Sequence, residues 1–172
     1  APRADTWFQS SLANSLAGYD LDSGQFDMHI ALNSNFSWYT GLDANPSKDE
    51  LDLVTVIMHE IGHGLNFSGT MQYSNGVAQY GSNGDPGIYD VFMHDGSGNQ
   101  FIDTSEYANP SSALGRAVTS NDLWWEGNKA MEANSGNRIK MYAPSRWSSG
   151  SSFSHLDYST FSGTQNRMMV YA

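Results

Sequence analysis

Apolar positions recur most regularly late in the first third of the chain, where Leu51, Val54, Ile57, Met58, Ile61 and Leu65 fall at helical spacing. Ser47, with Glu50 at the capping-box position, opens this stretch and predicts a helix from Ser47 to about Leu65 with its stripe turned to a core. A shorter helix is predicted over residues 6–17, capped by Asp5, ended by Gly18 and turning Trp7, Leu12 and Leu16 inward. Residues 26–32 alternate apolar and polar and read as a strand, with His29 on the face opposite Met28 and Ile30, in a structural or solvent-facing role. Residues 33–46 form a loop, and 70–109 are rich in turns. Further strands are expected at 88–93, 123–125 and 139–142, and one or two helical turns at 128–134. The pattern is that of an α/β chain of the α+β kind.

Composition narrows the function classes. At 172 residues, 39% hydrophobic and 13% aromatic, the chain reads as a single domain spanning 1–172 with a real core. Its net charge of -10, with only eight Lys and Arg and no basic cluster, argues against nucleic acid and anionic membrane as partners. No stretch approaches the length of a membrane span. The absence of cysteine excludes disulfides and thiolate metal ligands. The first residues, Ala1-Pro2-Arg3-Ala4-Asp5, contain no apolar signal core. A secreted enzyme stripped of its signal and pro-segment has this form, and so has a cytosolic one.

The chemistry is concentrated in His59-Glu60-Ile61-Gly62-His63, inside the firmest predicted helix. Histidines four apart share one helix face, so both imidazoles can reach one metal ion, with Glu60 beside them as a proton acceptor. Two histidines and an acid next to an apolar stripe need polar partners, and a metal supplies them most simply. This is the zinc-protease arrangement, in which zinc polarises a carbonyl and activates a water. A catalytic zinc takes three protein ligands, so one more is required. His155, His94, Glu106 and Glu126 are the candidates in the sequence. A second cation is conceivable at Asp95-Gly96-Ser97-Gly98-Asn99, where alternate oxygens, with Asp103, could hold Ca2+. The string misses the twelve-residue calcium-loop pattern and fits a tight hairpin turn better.

From His59 to Phe67, the run His59-Glu60-Ile61-Gly62-His63-Gly64-Leu65-Asn66-Phe67 resembles the first part of the metzincin zinc-binding signature, HExxHxxGxxH. Asn66 stands at the signature's glycine and Gly69 at its last histidine. Asn is the residue that best replaces glycine in a left-handed turn. Leishmanolysin-like metzincins are similar in carrying a long insertion before the third histidine, shortly upstream of the Met-turn. The corresponding section here is Ser154-His155-Leu156-Asp157, followed by Asn166-Arg167-Met168-Met169. The resemblance therefore implies His59, His63 and His155 as zinc ligands and Met169 as the Met-turn residue, with Met168 as its close alternative. The ending Met169-Val170-Tyr171 resembles the Met-x-Tyr of astacin- and serralysin-type enzymes and implies a transition-state role for Tyr171. Asp157 is a candidate to orient a ligand imidazole through its second nitrogen, or to hold the local loop.

The metzincin resemblance implies a twisted mixed sheet over the active-site helix, reduced here, and an irregular C-terminal part carrying the Met-turn. It also implies a secreted, monomeric zinc endopeptidase whose extended protein or peptide substrate pairs with an edge strand, residues 26–32 being the candidate. Glu60 would act as general base. The alternatives are a zinc-containing binding module without turnover, which Glu60 argues against because no ligand role needs it, and a non-peptidase zinc amidohydrolase.

Overall fold

A computed structural model describes residues 3–81 and 83–171. It has an α+β fold with several small sheets and short helices. The described chain forms two compact units, one spanning Gln9–Asn66 and the other built from the residues on either side of it.

In the Gln9–Asn66 unit, helix α1 spans Ser10–Ala17 and closes on Gly18, whose φ of 76° is the left-handed turn a glycine supplies. The helix starts later than the apolar spacing predicts because Trp7 is engaged in bridge pairing with Gly87, its N–H donating to the Pro86 carbonyl at 2.9 Å. Strands β1 (Trp38–Tyr39) and β2 (Leu51–Asp52) pair in parallel, Trp38 opposite Leu51. Helix α2, Leu53–Gly64, follows at once. The capping interaction at Ser47 does form, with the Ser47 N–H donating to the Glu50 carboxylate at 3.1 Å, but it closes only a turn. Pairing of Leu51 and Asp52 with β1 holds the backbone extended, and Asp52 caps the helix by accepting from the Thr55 N–H. Residues 26–32 are not a strand. Alternation alone gave them no partner, and the exposed Phe26 and His29 show that neither face is a core face.

The apolar stripe of α2 also departs from expectation. Val54, Met58, Ile61 and Leu65 are 39%, 51%, 36% and 55% exposed and form a surface row rather than a core seam. Among its described residues this unit buries no apolar side chain. A twisted mixed sheet is absent from it as well; β1 and β2 are the strands it has.

The other unit carries the core. Strands β3 (Gln72–Ser74) and β4 (Val77–Gln79) make a hairpin through Asn75-Gly76, both at positive φ, as the tightest hairpin turns require. Helix α3, Ser112–Ala117, packs on β4. A Cβ at Gly115 would lie 2.2 Å from the Gly76 carbonyl oxygen, so only glycine permits that approach. The three-stranded antiparallel sheet orders β5 (Met93–Asp95), β6 (Leu123–Trp125) and β7 (Ile139–Lys140), with Met93 opposite Trp125 and Trp124 opposite Lys140. The strand predicted over 88–93 is instead a 3-10 turn at Asp90–Phe92 leading into β5. Helices α4 (Asn128–Ala133) and α5 (Tyr158–Phe161) complete the unit. Phe101, Phe153, Met93, Leu114, Leu123, Met141 and Val118 are its fully buried centre.

Asp90 explains the 3-10 turn. Its carboxylate is fully buried and accepts from the Thr70 N–H at 2.9 Å, the Gly87 N–H at 2.8 Å and the Thr70 hydroxyl. Burial pushes its pKa up, against the pull of the Thr70 and Gly87 donors. At the tip of β5, Asp95 accepts from the Asn99 N–H and side-chain amide, each at 2.9 Å, and from the Tyr107 hydroxyl at 2.7 Å. The segment is a hairpin turn, with His94 bridged to Gln100. Burial works against the Asp95 charge, but the Tyr107 and Asn99 donors prevail and hold its carboxyl below the usual range.

Removing the buried carboxylate strands three donors, so Asp90→Ala should lower unfolding free energy by about 3 kcal/mol. The check is a denaturant titration in which the midpoint falls at unchanged slope; a loss under about 1 kcal/mol would contradict this role. Asp95 gives a pH signature. Its folded pKa lies below the unfolded value of about 3.9, so its stabilisation is present above roughly pH 4 and lost as pH falls through the folded value. Asp95→Asn should therefore show a flatter decline of melting temperature across the acid range than the parent; parallel declines would refute it.

Candidate metal centre

Helix α2 sets the first two imidazoles. His59 and His63 fall one turn apart and project from one face, both half-buried, with Glu60 half-buried beside them. Their Nε2 atoms are 3.1 Å apart and their rings meet edge to face with centroids 4.7 Å apart. Two ligand nitrogens on a tetrahedral zinc with bonds of about 2.0–2.1 Å sit roughly 3.3 Å apart, so the pair is spaced as zinc ligands are. Asn66 then turns the chain with φ 79°, donating its N–H to the His63 carbonyl at 3.0 Å. Its side-chain oxygen accepts from the Gln9 N–H at 2.8 Å. The left-handed turn expected of glycine at this position is thus made by an asparagine whose side chain is itself bonded.

His155 is fixed by backbone on two sides. The Tyr142 N–H donates to the His155 carbonyl at 2.9 Å, and the adjacent Leu156 is bridged to Met141 on one side and Val170 on the other. Leu156 donates its N–H to the Met169 carbonyl at 2.9 Å. The imidazole is buried, and its Nδ1 lies 2.9 Å from the Ser151 carbonyl oxygen. A carbonyl can only accept, so Nδ1 carries the proton and Nε2 keeps the lone pair a metal needs.

One ring nitrogen from each of His59, His63 and His155 lies within 4.8 Å of the other two. Three imidazoles converging in this way can coordinate a metal ion.

The other candidates lie elsewhere. His94 points Nδ1 at the Phe92 carbonyl, 2.9 Å away, and lies 3.9 Å from the Glu126 carboxylate. Glu126 is paired with Arg138 at 2.7 Å. Glu106 is exposed in a turn after Asp103, and His29 is exposed. The Nδ1 of His155 lies against the Ser151 carbonyl rather than Asp157. Asp157 caps α5, accepting from the Thr160 N–H at 2.9 Å. Burial opposes the Asp157 charge, but the Ser159 and Thr160 donors hold its carboxyl low. Gly69, where the short metzincin signature has its third histidine, admits no side chain: a Cβ there would lie 2.5 Å from the Phe153 ring.

Met169 sits in a 3-10 turn, Arg167–Met169, half-buried against the core, with its carbonyl tied to Leu156. Tyr171 follows and packs at a tilt against Tyr142, with centroids 4.1 Å apart and planes 32° apart. The hydrogen bond to Tyr171, followed by burial, raises the Tyr142 pKa. Tyr142 and Ser151 were missed in the sequence. Both act through contacts remote in the chain or through a main-chain carbonyl, and neither leaves a motif.

Among the described residues no helix is long and apolar enough to cross a membrane. No curated protein and no solved structure matches the chain. Residues 21–80, which include His59, Glu60 and His63, match a family model described as SPBPB7E8-like.

Proposed function

We propose that this chain is a zinc-dependent endopeptidase of metzincin type, hydrolysing peptide bonds in proteins. The observation that carries the reading is the convergence of His59, His63 and His155 nitrogens within 4.8 Å, with Glu60 in the helical turn between the first two. His59, His63 and His155 would hold the ion. When bound, zinc supplies a Lewis acid that polarises a carbonyl and makes a water acidic near neutral pH.

The chain's own groups do the rest. Glu60 accepts the proton of the attacking water and returns it to the departing amine. The Ser151 carbonyl keeps the His155 proton on Nδ1, so that its Nε2 stays a donor of electrons. Tyr171 donates its phenolic hydrogen to the oxygen that gains charge as the carbonyl is attacked. Glu60 favours an enzyme over a binding module, since three histidines already complete the ligand set of a catalytic zinc. The resemblance of the helix motif and of the closing Met-Val-Tyr extends the reading to a secreted, monomeric enzyme acting on extended peptides.

Zinc content and peptide cleavage, measured together, test it. The parent should hold roughly one zinc per chain and cut an unstructured protein substrate. Glu60→Ala should keep the metal and lose about 10²–10⁴-fold in rate, while His155→Ala should lose both. A parent that binds zinc and cuts nothing would sink the peptidase reading, and unchanged zinc in His155→Ala would sink the ligand assignment.

A further inference from the structure

Gln9 stands at the N-cap of α1, where a helix favours Ser, Thr, Asp or Asn, whose short side chains reach the first free N–H groups. Its side chain makes no such cap. It runs instead to the last turn of α2. A carbonyl only accepts, so the amide nitrogen is the end that faces this turn, 2.9 Å from the His63 carbonyl oxygen and 3.0 Å from that of Gly64. Two further donors from the same few residues converge there. The Gln9 N–H donates to the Asn66 side-chain oxygen at 2.8 Å, and the Ser11 hydroxyl donates to the Gly64 carbonyl. The last carbonyls of a helix find no partner within it. Here the start of α1 serves two of them, and one belongs to His63.

The turn that carries His63 has little else to hold it. His63 sits between Gly62 and Gly64, and glycine favours a helix less than any residue but proline. Among its described residues this unit buries no apolar side chain, so no core pins the end of α2. We propose that Gln9 is a positioning residue for His63, its amide holding the last turn so that the His63 Nε2 keeps its 3.1 Å spacing from that of His59. This rests on the metal-site part of the reading above and not on peptide cleavage. A ligand ring moves with its backbone, so a last turn that frays carries the second imidazole away from the first.

The test measures zinc affinity of the whole chain by competition with a chromophoric chelator, zinc alone being the probe. Gln9→Ala removes the donor, and Gln9→Glu keeps the shape but sets an oxygen against both carbonyls. Each should weaken zinc binding about tenfold or more, with the melting temperature of the metal-free chain unchanged. Gln9→Lys puts back an N–H donor of similar reach and should restore affinity to near that of the parent. Charge alone predicts the opposite order, a carboxylate attracting the cation and an ammonium repelling it. Unchanged affinity in Gln9→Ala and Gln9→Glu overturns the proposal. So does the charge order, an equal loss in all three variants, or a loss matched by a lower melting temperature. Failure of the peptidase reading is seen separately, as a zinc-loaded parent that cuts nothing. A parent that binds no zinc removes the metal site and the role of Gln9 with it, and is recognised before any variant is compared.

Discussion

The bridged segment at His155 and Leu156 is the constraint on which the chemistry of this molecule depends. A metal ligand must be aimed to within a fraction of an ångström, and a long irregular segment cannot do that alone. Here the backbone on one side is pinned by Tyr142 and Met141, and on the other by Met169 and Val170. Asp157 extends the first pairing, donating its N–H to the Lys140 carbonyl at 3.0 Å. The ring is then fixed by Ser151, a carbonyl only four residues earlier. Main chain, not side chain, orients this imidazole, and main-chain partners survive substitution of the residues that carry them.

Helix α2 solves the same problem by different means. Two imidazoles one turn apart need no long-range partner to face the same way, because the helical repeat does it. The cost falls on the helix ends, which must be stopped and started at defined residues. Asp52 starts the helix, and the left-handed Asn66 with its bonded side chain stops it. Gly64 lies against Met28, where a Cβ would be 2.8 Å from the sulfur. Glycine in the last turn of a helix costs up to about 1 kcal/mol, and here it lets the Met28 side chain lie directly against the helix.

What could be read from the sequence follows from the range of the interactions. His59, Glu60 and His63 are a local pattern on a local structure, and were legible at once. Strands at Leu123–Trp125 and Ile139–Lys140 were legible for the same reason, as was the tight turn after Asp95. Residues 26–32 have the alternation of a strand, but a strand also needs a partner, and that is a property of the whole fold. The start of α2 moved from Ser47 to Leu53 because Leu51 and Asp52 were claimed by pairing with Trp38 and Tyr39. The stripe Val54, Met58, Ile61 and Leu65 has the right period for a core seam, yet period says only that a face is apolar and not what lies against it. His155 was reached through resemblance; Tyr142 was not, since its role exists only once distant segments are side by side, and Ser151 was not, since it acts through a main-chain carbonyl that leaves no side-chain pattern.

Phe153 shows how such a site resists change. Its φ of 75° is a conformation that a bulky side chain adopts at a cost, yet its ring is almost wholly buried, packed near Phe101 and Tyr89. The Tyr89 hydroxyl holds its carbonyl at 3.1 Å, and its N–H holds Tyr142. Glycine would suit the backbone and leave a void; a smaller apolar residue would leave the void and keep the strained backbone. Backbone and core thus select for opposite residues at one position, two places before His155. Phe153 is therefore the one residue type that fills the core at this position at the expense of its backbone.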